Sequence, residues 1–361
     1  MISSVYIHIP FCRSICSYCD FCKFLYNKEW ASGYLKKLDY EIESRYMGEV
    51  IKTIYIGGGT PSILNNEELD ILFEIIKKFN LSNEYEFTFE CNIEDINESL
   101  IDKLIKNKVN RISIGIESFD PKNLSTMGRT CSFEDALEKV NLIRKKGIDN
   151  INLDLMYALP DEKMKTLKTD IKLLLKLNPS HISTYSLILE DNTFLSYRKT
   201  ESLDENLDYE MYKYIVKTLH KKGYNHYEVS NFARDNYESK HNTVYWENKE
   251  YYGFGCGASG YVSGVRYDNT RSLTKYIESD TFSTKNLLSK IDIMDYHLIL
   301  GFRLLRGINL DEFKNIYGIT MESRYPIKAL LKYGDLILKD GYIMINPERI
   351  YVMNEILTKC V

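Results

Sequence analysis

Short apolar runs alternate along the chain with longer segments in which apolar residues recur every three or four positions. The short runs are rich in β-branched residues and predict strands at 5–9, 53–56, 86–90, 111–116, 150–156 and 181–187. The longer segments predict helices at 30–46, 66–79, 98–106, 133–146 and 164–175. Strands that alternate with helices indicate a parallel α/β sheet, and six such units predict a partial (β/α)6 TIM-like barrel. Near-continuous apolar runs such as 151–156 favour a sheet buried on both faces.

Beyond residue 190 the alternation becomes looser. Residues 191–285 are expected to extend the barrel, with a polar and aromatic stretch at 231–261. Residues 286–361 predict helices at 292–304, 310–317 and 321–333, then a hairpin at 336–345 with Asp340-Gly341 as its turn. Helices followed by a small hairpin resemble a winged helix. The expected division is therefore a core at 1–190, an extension at 191–285 and a small helical, winged-helix-like domain at 286–361.

Composition limits the class of protein. Hydrophobic residues make up 44% and charged residues 27% of the 361 residues, as in soluble globular proteins with a sizeable core. The net charge of −4 argues against nucleic acid as a partner, because phosphate binding favours a basic face. No apolar run reaches the roughly 18 residues of a membrane helix, and the first residues do not resemble a signal peptide. We therefore expect a cytoplasmic protein.

Conspicuous polar and glycine residues stand where the predicted strands end. Ligand sites collect at the carboxyl ends of the strands in such barrels, so the site is expected there. The residues concerned are Cys12, Cys16 and Cys19 after the first strand, Gly57, Gly58, Gly59 and Thr60 after the second, Glu90 and Asn92 after the third, Glu117 and Ser118 after the fourth, and Asp154 within the fifth.

The three cysteines have the spacing CxxxCxxC. Three thiolates on one short loop can hold three irons of a [4Fe–4S] cluster and leave the fourth iron open to a ligand. A zinc ribbon usually needs a second CxxC pair, which the chain lacks, and a reducing cytosol disfavours a disulfide knot. Cys22 follows three residues later and could be a fourth ligand or a spare thiol.

The cysteine loop and the segment Gly57-Gly58-Gly59-Thr60-Pro61 resemble the radical S-adenosylmethionine (SAM) superfamily. Further motifs resemble its oxygen-independent coproporphyrinogen III oxidase-like family, namely Tyr6-Ile-His-Ile-Pro-Phe-Cys12, Asn110-Arg-Ile-Ser-Ile-Gly115, Gly128-Arg129, Asn152-Leu-Asp-Leu-Met-Tyr157 and Gly301-Phe-Arg-Leu-Leu-Arg-Gly307. Within that family, Ser230-Asn-Phe-Ala233 and His241-Asn-Thr-Val-Tyr-Trp246 resemble the HemW-type heme chaperones. The resemblance covers nearly the whole chain.

The resemblance implies that Cys12, Cys16 and Cys19 bind the cluster, and that SAM binds the open iron and is split there by an electron into methionine and a 5′-deoxyadenosyl radical. It also implies a SAM site lined by Tyr6, Gly58, Gly59, Thr60, Glu90, Glu117, Arg129 and Asp154. Glu90 would accept hydrogen bonds from the ribose diol, and Arg129 would pair with the SAM carboxylate. The simpler interpretations are that the carboxylates meet strand-end amides and that Arg129 forms a surface salt bridge.

The motif HNxxYW contains the residues that the resemblance assigns to heme: His241, Asn242, Tyr245 and Trp246. An imidazole can bind heme iron axially, and flat aromatic rings can stack on the macrocycle. The alternative is that His241 and Trp246 pack against the outside of the barrel.

Two of the departures from the family concern the cluster and the SAM site. Cys22 fits neither the dehydrogenase spacing nor the chaperone pattern, so we expect it not to bind the cluster. Glu117 stands where the family usually has glutamine, which adds a negative charge beside SAM.

Two functions follow from the resemblance. The first is a heme chaperone that binds a [4Fe–4S] cluster, SAM and heme and transfers heme to a client protein, which can be membrane-associated. The alternative is a coproporphyrinogen III dehydrogenase, in which the radical drives oxidative decarboxylation of propionates. The HNxxYW motif and the short segment before Cys12 favour the chaperone, and whether the chain is an enzyme stays open. The sequence identifies neither the client nor the electron donor.

Overall fold

The computed structural model describes residues 2–280 and 282–361 of the chain. Its strands are β1 (Ser4–Ile9), β2 (Phe11–Cys12), β3 (Phe24–Leu25), β4 (Val50–Gly58), β5 (Asn80–Cys91), β6 (Arg111–Glu117), β7 (Ile151–Tyr157), β8 (His181–Ser186), β9 (Asn225–Glu228), β10 (Asn231–Ala233), β11 (Tyr252–Phe254), β12 (Ser259–Val262), β13 (Val265–Asn269), β14 (Ser283–Leu287), β15 (Ile308–Asn309), β16 (Leu336–Lys339) and β17 (Tyr342–Ile345). Its α-helices are α1 (Lys28–Arg45), α2 (Asn66–Ile76), α3 (Glu98–Lys106), α4 (Pro121–Met127), α5 (Phe133–Lys145), α6 (Met164–Lys176), α7 (Phe194–Tyr197), α8 (Glu205–Lys221), α9 (Lys240–Trp246), α10 (Leu273–Glu278), α11 (Lys290–Gly301), α12 (Leu310–Tyr317), α13 (Ile327–Tyr333) and α14 (Met353–Leu357).

One large sheet organises the first three quarters of the chain. Its strand order is β11-β1-β4-β5-β6-β7-β8-β10-β9. The strands from β11 to β8 are parallel, and β10 and β9 are added antiparallel at one edge. The six predicted strands are β1 and β4 to β8, which lie side by side in chain order, and the predicted helices α1, α2, α3, α5 and α6 connect them. The parallel α/β prediction is confirmed.

The two faces of this sheet differ in polarity. In β6, Ile112, Ile114 and Ile116 are fully buried on the face that packs against the helices. Arg111 and Ser113 alternate with them and point the other way, into a cavity. Both faces of β6 are buried, since Arg111 and Ser113 are each only 2% exposed, and the expectation of a sheet buried on both faces is confirmed for this strand. Only the outer face is apolar, because the inner face surrounds polar space.

The inner face curves around that cavity. Tyr55 of β4, Glu90 of β5, Asp154 of β7 and Tyr185 of β8 all line it. Neighbouring strands lie about 4.8 Å apart, so β4 and β8 would be roughly 19 Å apart in a flat sheet. Their side chains meet around one cavity because the sheet bends into the predicted partial barrel.

The segment after residue 190 adds to both edges of this sheet. β9 and β10 extend the edge beside β8, and β11 pairs with β1 at the opposite edge. Strands β12, β13 and β14 form a separate antiparallel sheet. The polar and aromatic stretch at 231–261 contains α9 and β11. The boundaries of the extension stay a prediction.

The C-terminal helices pack around a second hydrophobic core that includes Leu298, Phe313 and Ile343. The hairpin predicted at 336–345 is present as β16 and β17, and β15 joins it. Asp340 and Gly341 have φ of 50° and 79°, the left-handed values that a type I′ turn needs. The helix predicted at 321–333 is shortened because α13 begins only after Pro326, and the domain boundary near residue 286 stays a prediction.

Among residues 2–280 and 282–361, no helix combines the length and the apolar character needed to cross a bilayer.

Candidate cofactor site at the mouth of the barrel

The three cysteines of the CxxxCxxC motif lie on one loop, residues 13–23 with Cys12 at its start, which we call the cluster loop. Its base is closed where β2 and β3 pair, with Phe24 N–H donating to the Pro10 carbonyl at 2.7 Å. Its middle is fixed by Ser17, whose N–H donates to the Met127 carbonyl at 3.0 Å and whose carbonyl accepts from Leu195 N–H at 3.1 Å. The loop is therefore held in place by main-chain hydrogen bonds.

Cys12, Cys16 and Cys19 all line the same cavity, of about 420 Å³. Thr60 Oγ1 lies 3.9 Å from Cys12 Sγ, and Arg129 Nη1 lies 3.7 Å from Cys16 Sγ. Burial raises the pKa of the Cys12 thiol to about 12, and a bound metal would displace that proton because only the thiolate is a ligand.

Cys12, Cys16 and Cys19 come from one loop and line one cavity. A [4Fe–4S] cluster with an open iron needs three thiolates, each bound to a different iron. The three thiols therefore fit the cluster that the sequence predicts.

Cys22 does not line this cavity. Its sulfur lies 3.7 Å from Cys256 Sγ. It accordingly lies away from the other three cysteines of the motif.

The glycine-rich turn after β4 is hydrogen-bonded to the end of β1 and to β2, just before the cluster loop. Gly59 N–H donates to the Ile9 carbonyl at 2.8 Å, and Thr60 N–H donates to the Phe11 carbonyl at 2.7 Å. A Cβ at Gly59 would lie 2.7 Å from the Phe11 oxygen, so only glycine allows this approach. Exposed N–H donors would be free for a ligand, but these two are already used within the protein.

Glu90 accepts two hydrogen bonds from within the site. Tyr55 OH donates to Oε1 at 2.6 Å, and Gly58 N–H donates to Oε2 at 3.0 Å. Burial raises the pKa of the Glu90 carboxyl to about 7, against the opposing effect of these bonds. The carboxyl faces the cavity at the strand end and titrates near neutral pH.

Arg129 spans the space between the cluster loop and the end of β6. Its Nη2 donates to the Gly115 carbonyl at 2.7 Å and to Asn92 Oδ1 at 3.3 Å. Its Nη1 lies 3.9 Å from Glu117 Oε1, and the Arg129 side chain is only 14% exposed. The alternative of a surface salt bridge is therefore wrong.

Glu117 occupies the position that departs from the family. Its φ of 66° is left-handed, a strained conformation for a residue with a side chain. Burial raises the pKa of its carboxyl to about 7, although Arg129 favours the charged form. A carboxylate held here next to Arg129 competes with any anionic ligand for the guanidinium group.

Of two further residues of the predicted SAM site, one lines the cavity and the other does not. Asp154 lines the cavity and accepts from Asn152 Nδ2 at 2.7 Å, and burial raises the pKa of its carboxyl. Tyr6 is not among the lining residues; its hydroxyl lies 2.9 Å from His8 Nδ1.

His241 is not among the residues that line the cavity and lies against β4. It is 1% exposed. Its Nδ1 lies 2.8 Å from Thr53 Oγ1 and its Nε2 lies 2.7 Å from Tyr245 OH. Burial lowers its pKa to about 3, so the ring is neutral. Both ring nitrogens are hydrogen-bonded, so one of them would have to lose its partner before it could bind iron.

The rest of the HNxxYW motif spreads along α9. Glu86 accepts from Lys240 N–H and His241 N–H, each at 3.0 Å, and so fixes the first turn to β5. Asn242 lines the cavity, whereas Trp246 at the other end of the helix lies under the Arg303 guanidinium, 5.6 Å from the ring centroid. His241 contacts β4, Asn242 lines the cavity and Trp246 contacts Arg303, so the motif does not form a single exposed surface. Its role in heme binding stays a prediction.

Several lining residues were missed in the sequence. Tyr55, Arg111 and Tyr185 all line the cavity. Tyr55 and Arg111 stand two residues before Gly57 and Ser113, so strand periodicity places them on the same face. That period-two signal could have found them.

The fold and the cysteine loop at its mouth define a radical SAM protein. The model of the radical SAM superfamily matches residues 6–174. The chain is 40% identical to the heme chaperone HemW of Lactococcus lactis over 333 residues, which cover 90% of this chain and 87% of the relative. It is 32% identical to HemW of Bacillus subtilis over 98% of this chain and 97% of the relative. The chain belongs to the HemW family.

The solved structures agree on the fold. Coproporphyrinogen III oxidase (HemN) of Escherichia coli, described as a radical SAM enzyme, superposes with a TM-score of 0.87. The match covers 99% of this chain and 89% of that chain at 20% sequence identity. At this identity the match establishes the architecture, and it does not transfer the function of HemN to this chain.

Proposed function

We propose that this protein is a heme chaperone that carries a [4Fe–4S] cluster and SAM, binds heme and passes it to a client protein. The observation that carries the proposal is the membership of the HemW family along nearly the whole chain. The chaperone role that the relatives' name states would then apply here, with the cytoplasm as the compartment.

The cofactor site supports this proposal through its donor set. Cys12, Cys16 and Cys19 would hold the cluster, and the guanidinium of Arg129, next to Cys16, would pair with the SAM carboxylate. Glu90 would accept from a ribose hydroxyl, because its carboxyl faces the cavity. When bound, the cluster supplies an electron and an open iron to SAM. The remaining predicted lining residues, Gly58, Gly59, Thr60, Glu117 and Asp154, would shape the pocket around it.

His241 of α9 would bind heme iron under one condition. Ligation by His241 requires one ring nitrogen to give up its hydrogen bond, either Nδ1 with Thr53 of β4 or Nε2 with Tyr245 of the same helix. Without that exchange His241 cannot be the iron ligand.

The test is a heme titration of the anaerobically reconstituted protein by absorbance. Wild type is compared with His241→Ala and with His220→Ala, which removes an exposed histidine from α8. We expect a saturable Soret change in wild type and in His220→Ala. Its loss in His241→Ala, at unchanged thermal stability, would assign the ligand to His241. Its persistence would keep heme binding and move the ligand elsewhere, and no saturable binding in wild type would refute the proposal.

Transfer is tested separately from binding. Heme-loaded protein is mixed with a heme-free acceptor protein, and the acceptor's Soret band is followed. We expect faster loading than from free heme. Turnover of coproporphyrinogen III above background would instead favour the enzymatic alternative.

A further inference from the structure

The thiols of Cys22 and Cys256 lie in contact, away from the cofactor cavity. Their sulfurs are 3.7 Å apart although the residues are 234 positions apart in the chain. Their exposed fractions are 6% and 0%. This pair is separate from the three cluster cysteines, since neither thiol lines the cavity.

The surrounding backbone fits the two sulfurs closely. Cys256 Sγ lies 3.1 Å from the Thr270 carbonyl oxygen, and Cys22 Sγ lies 3.5 Å from that of Arg271. A Cβ at Gly257 would lie 2.3 Å from Cys22 Cβ. Glycine at position 257 is therefore what allows Cys22 to reach its partner.

The pair joins two segments next to the site. Cys22 is near the end of the cluster loop, just before β3, and its carbonyl oxygen lies 2.7 Å from His8 Nε2 of β1. Cys256 follows β11, which pairs with β1 at the edge of the sheet. A bond between the sulfurs would tie the end of the cluster loop to the β11 edge.

We propose that Cys22 and Cys256 form a redox-sensitive pair that a peroxide converts into an internal disulfide, which fixes the end of the cluster loop. In the reaction the two thiols lose two protons and two electrons, the peroxide O–O bond breaks, the S–S bond forms and two water molecules leave. The sulfurs must approach by about 1.7 Å to reach the roughly 2.0 Å of a disulfide. The proposal does not depend on heme binding.

Exposure assigns the order of steps, since Cys22 is 6% exposed and Cys256 is fully buried. The contact with Cys256 lowers the pKa of Cys22, and the charge of Arg271 acts in the same direction. Cys22 is then the thiolate that attacks the peroxide and becomes a sulfenic acid, and Cys256 is the thiol that displaces water from it.

The test is a cysteine map of the full chain, both cluster-free and cluster-loaded, after treatment with one equivalent of hydrogen peroxide. Remaining thiols are blocked with N-ethylmaleimide, and peptides are analysed by mass spectrometry with and without reduction. We expect a cross-linked peptide joining Cys22 to Cys256 that disappears on reduction. It should be absent in Cys22→Ser and Cys256→Ser and present in Cys91→Ser, which removes another buried thiol.

Two other results would overturn the proposal. One is Cys22 and Cys256 both blocked by maleimide after denaturation, at a peroxide dose that oxidises other cysteines. The other is Cys22 linked to Cys19 or oxidised to the sulfinic acid without a cross-link. Hydrogen exchange gives an independent reading: exchange in 13–23 should slow at least twofold in the cross-linked protein, and unchanged exchange would refute the fixing of the loop.

Discussion

Substitution of Gly59 by alanine should push the glycine-rich turn away from the end of β1 and from β2. In Gly59→Ala the new Cβ would lie 2.7 Å from the Phe11 carbonyl oxygen and 2.9 Å from the Ile9 carbonyl oxygen. Both contacts are with main-chain atoms, so no side-chain rotation can relieve them. The turn must move away from β1 and β2, which stretches the hydrogen bond from Gly59 N–H to Ile9.

The expected cost follows from the packing alone. Gly59 is not among the glycines with left-handed φ, so alanine meets no additional backbone strain there. Overpacking a tight site costs about 1–3 kcal/mol, and we expect the upper half of that range because only backbone can yield. Movement of the turn also shifts Thr60 relative to Cys12, so less iron should be retained.

The assay is urea unfolding of the cluster-free variant, followed by iron and sulfide analysis after reconstitution. Gly33→Ala is the matched control. Gly33 lies within α1, and its new Cβ would meet only the Ile277 side chain, at an ordinary contact distance of 3.7 Å. The control should be stabilised by about 0.5–1 kcal/mol, as alanine favours a helix. A Gly59→Ala variant within about 0.5 kcal/mol of wild type that holds full iron would refute this reasoning.

Three further predictions concern the site. Cys16→Ser should lose the broad absorbance near ~400 nm of a [4Fe–4S] centre, whereas Cys360→Ser, which changes a thiol of the C-terminal domain, should keep it; full iron content in Cys16→Ser would contradict the assignment. Arg129→Gln should weaken SAM binding by about 1.5–3 kcal/mol in calorimetry, and an unchanged affinity would remove Arg129 from the site. The pKa of Glu90 is raised from 4.5 to about 7 in the fold, so its contribution to the free energy of unfolding is full below pH 4.5 and is lost as the pH rises through 7. Urea unfolding at pH 5 and pH 8 should show a fall in Glu90→Gln that is smaller than in wild type by on the order of 3 kcal/mol, the rest of the fall coming from other buried carboxyls such as Glu117, and an equal fall in both proteins would contradict the buried carboxyl.

The strands and crossover helices could be predicted because each carries its own periodic pattern. Arg111–Glu117 and Ile151–Tyr157 differ from the predicted strands by a residue at most. The polar lining was harder to see. Asn152 and Asp154 interrupt an apolar run, and this alternation indicates which face holds the cavity once the period of two is followed.

The placement of His241 could not be read from the chain. Its partners Thr53 and Glu86 lie on β4 and β5, more than 150 positions away, and only the folded sheet brings them to α9. Taken alone, a motif with histidine, tyrosine and tryptophan favours packing against the outside of the barrel, and only the family resemblance points to heme. The interruption of the helix at 321–333, by contrast, was readable, since Pro326 precedes α13.

The cluster loop owes its shape to main-chain hydrogen bonds, among them those of Ser17 with Met127 and Leu195. Substitutions cannot remove such bonds unless they introduce proline, so the side chains that the loop presents outward are decoupled from its shape. Phe21, which is 65% exposed beside the cavity, is one of them. Evolution, or a designer, can therefore change the outer surface of the loop to suit a different client while the positions of the cysteines are preserved.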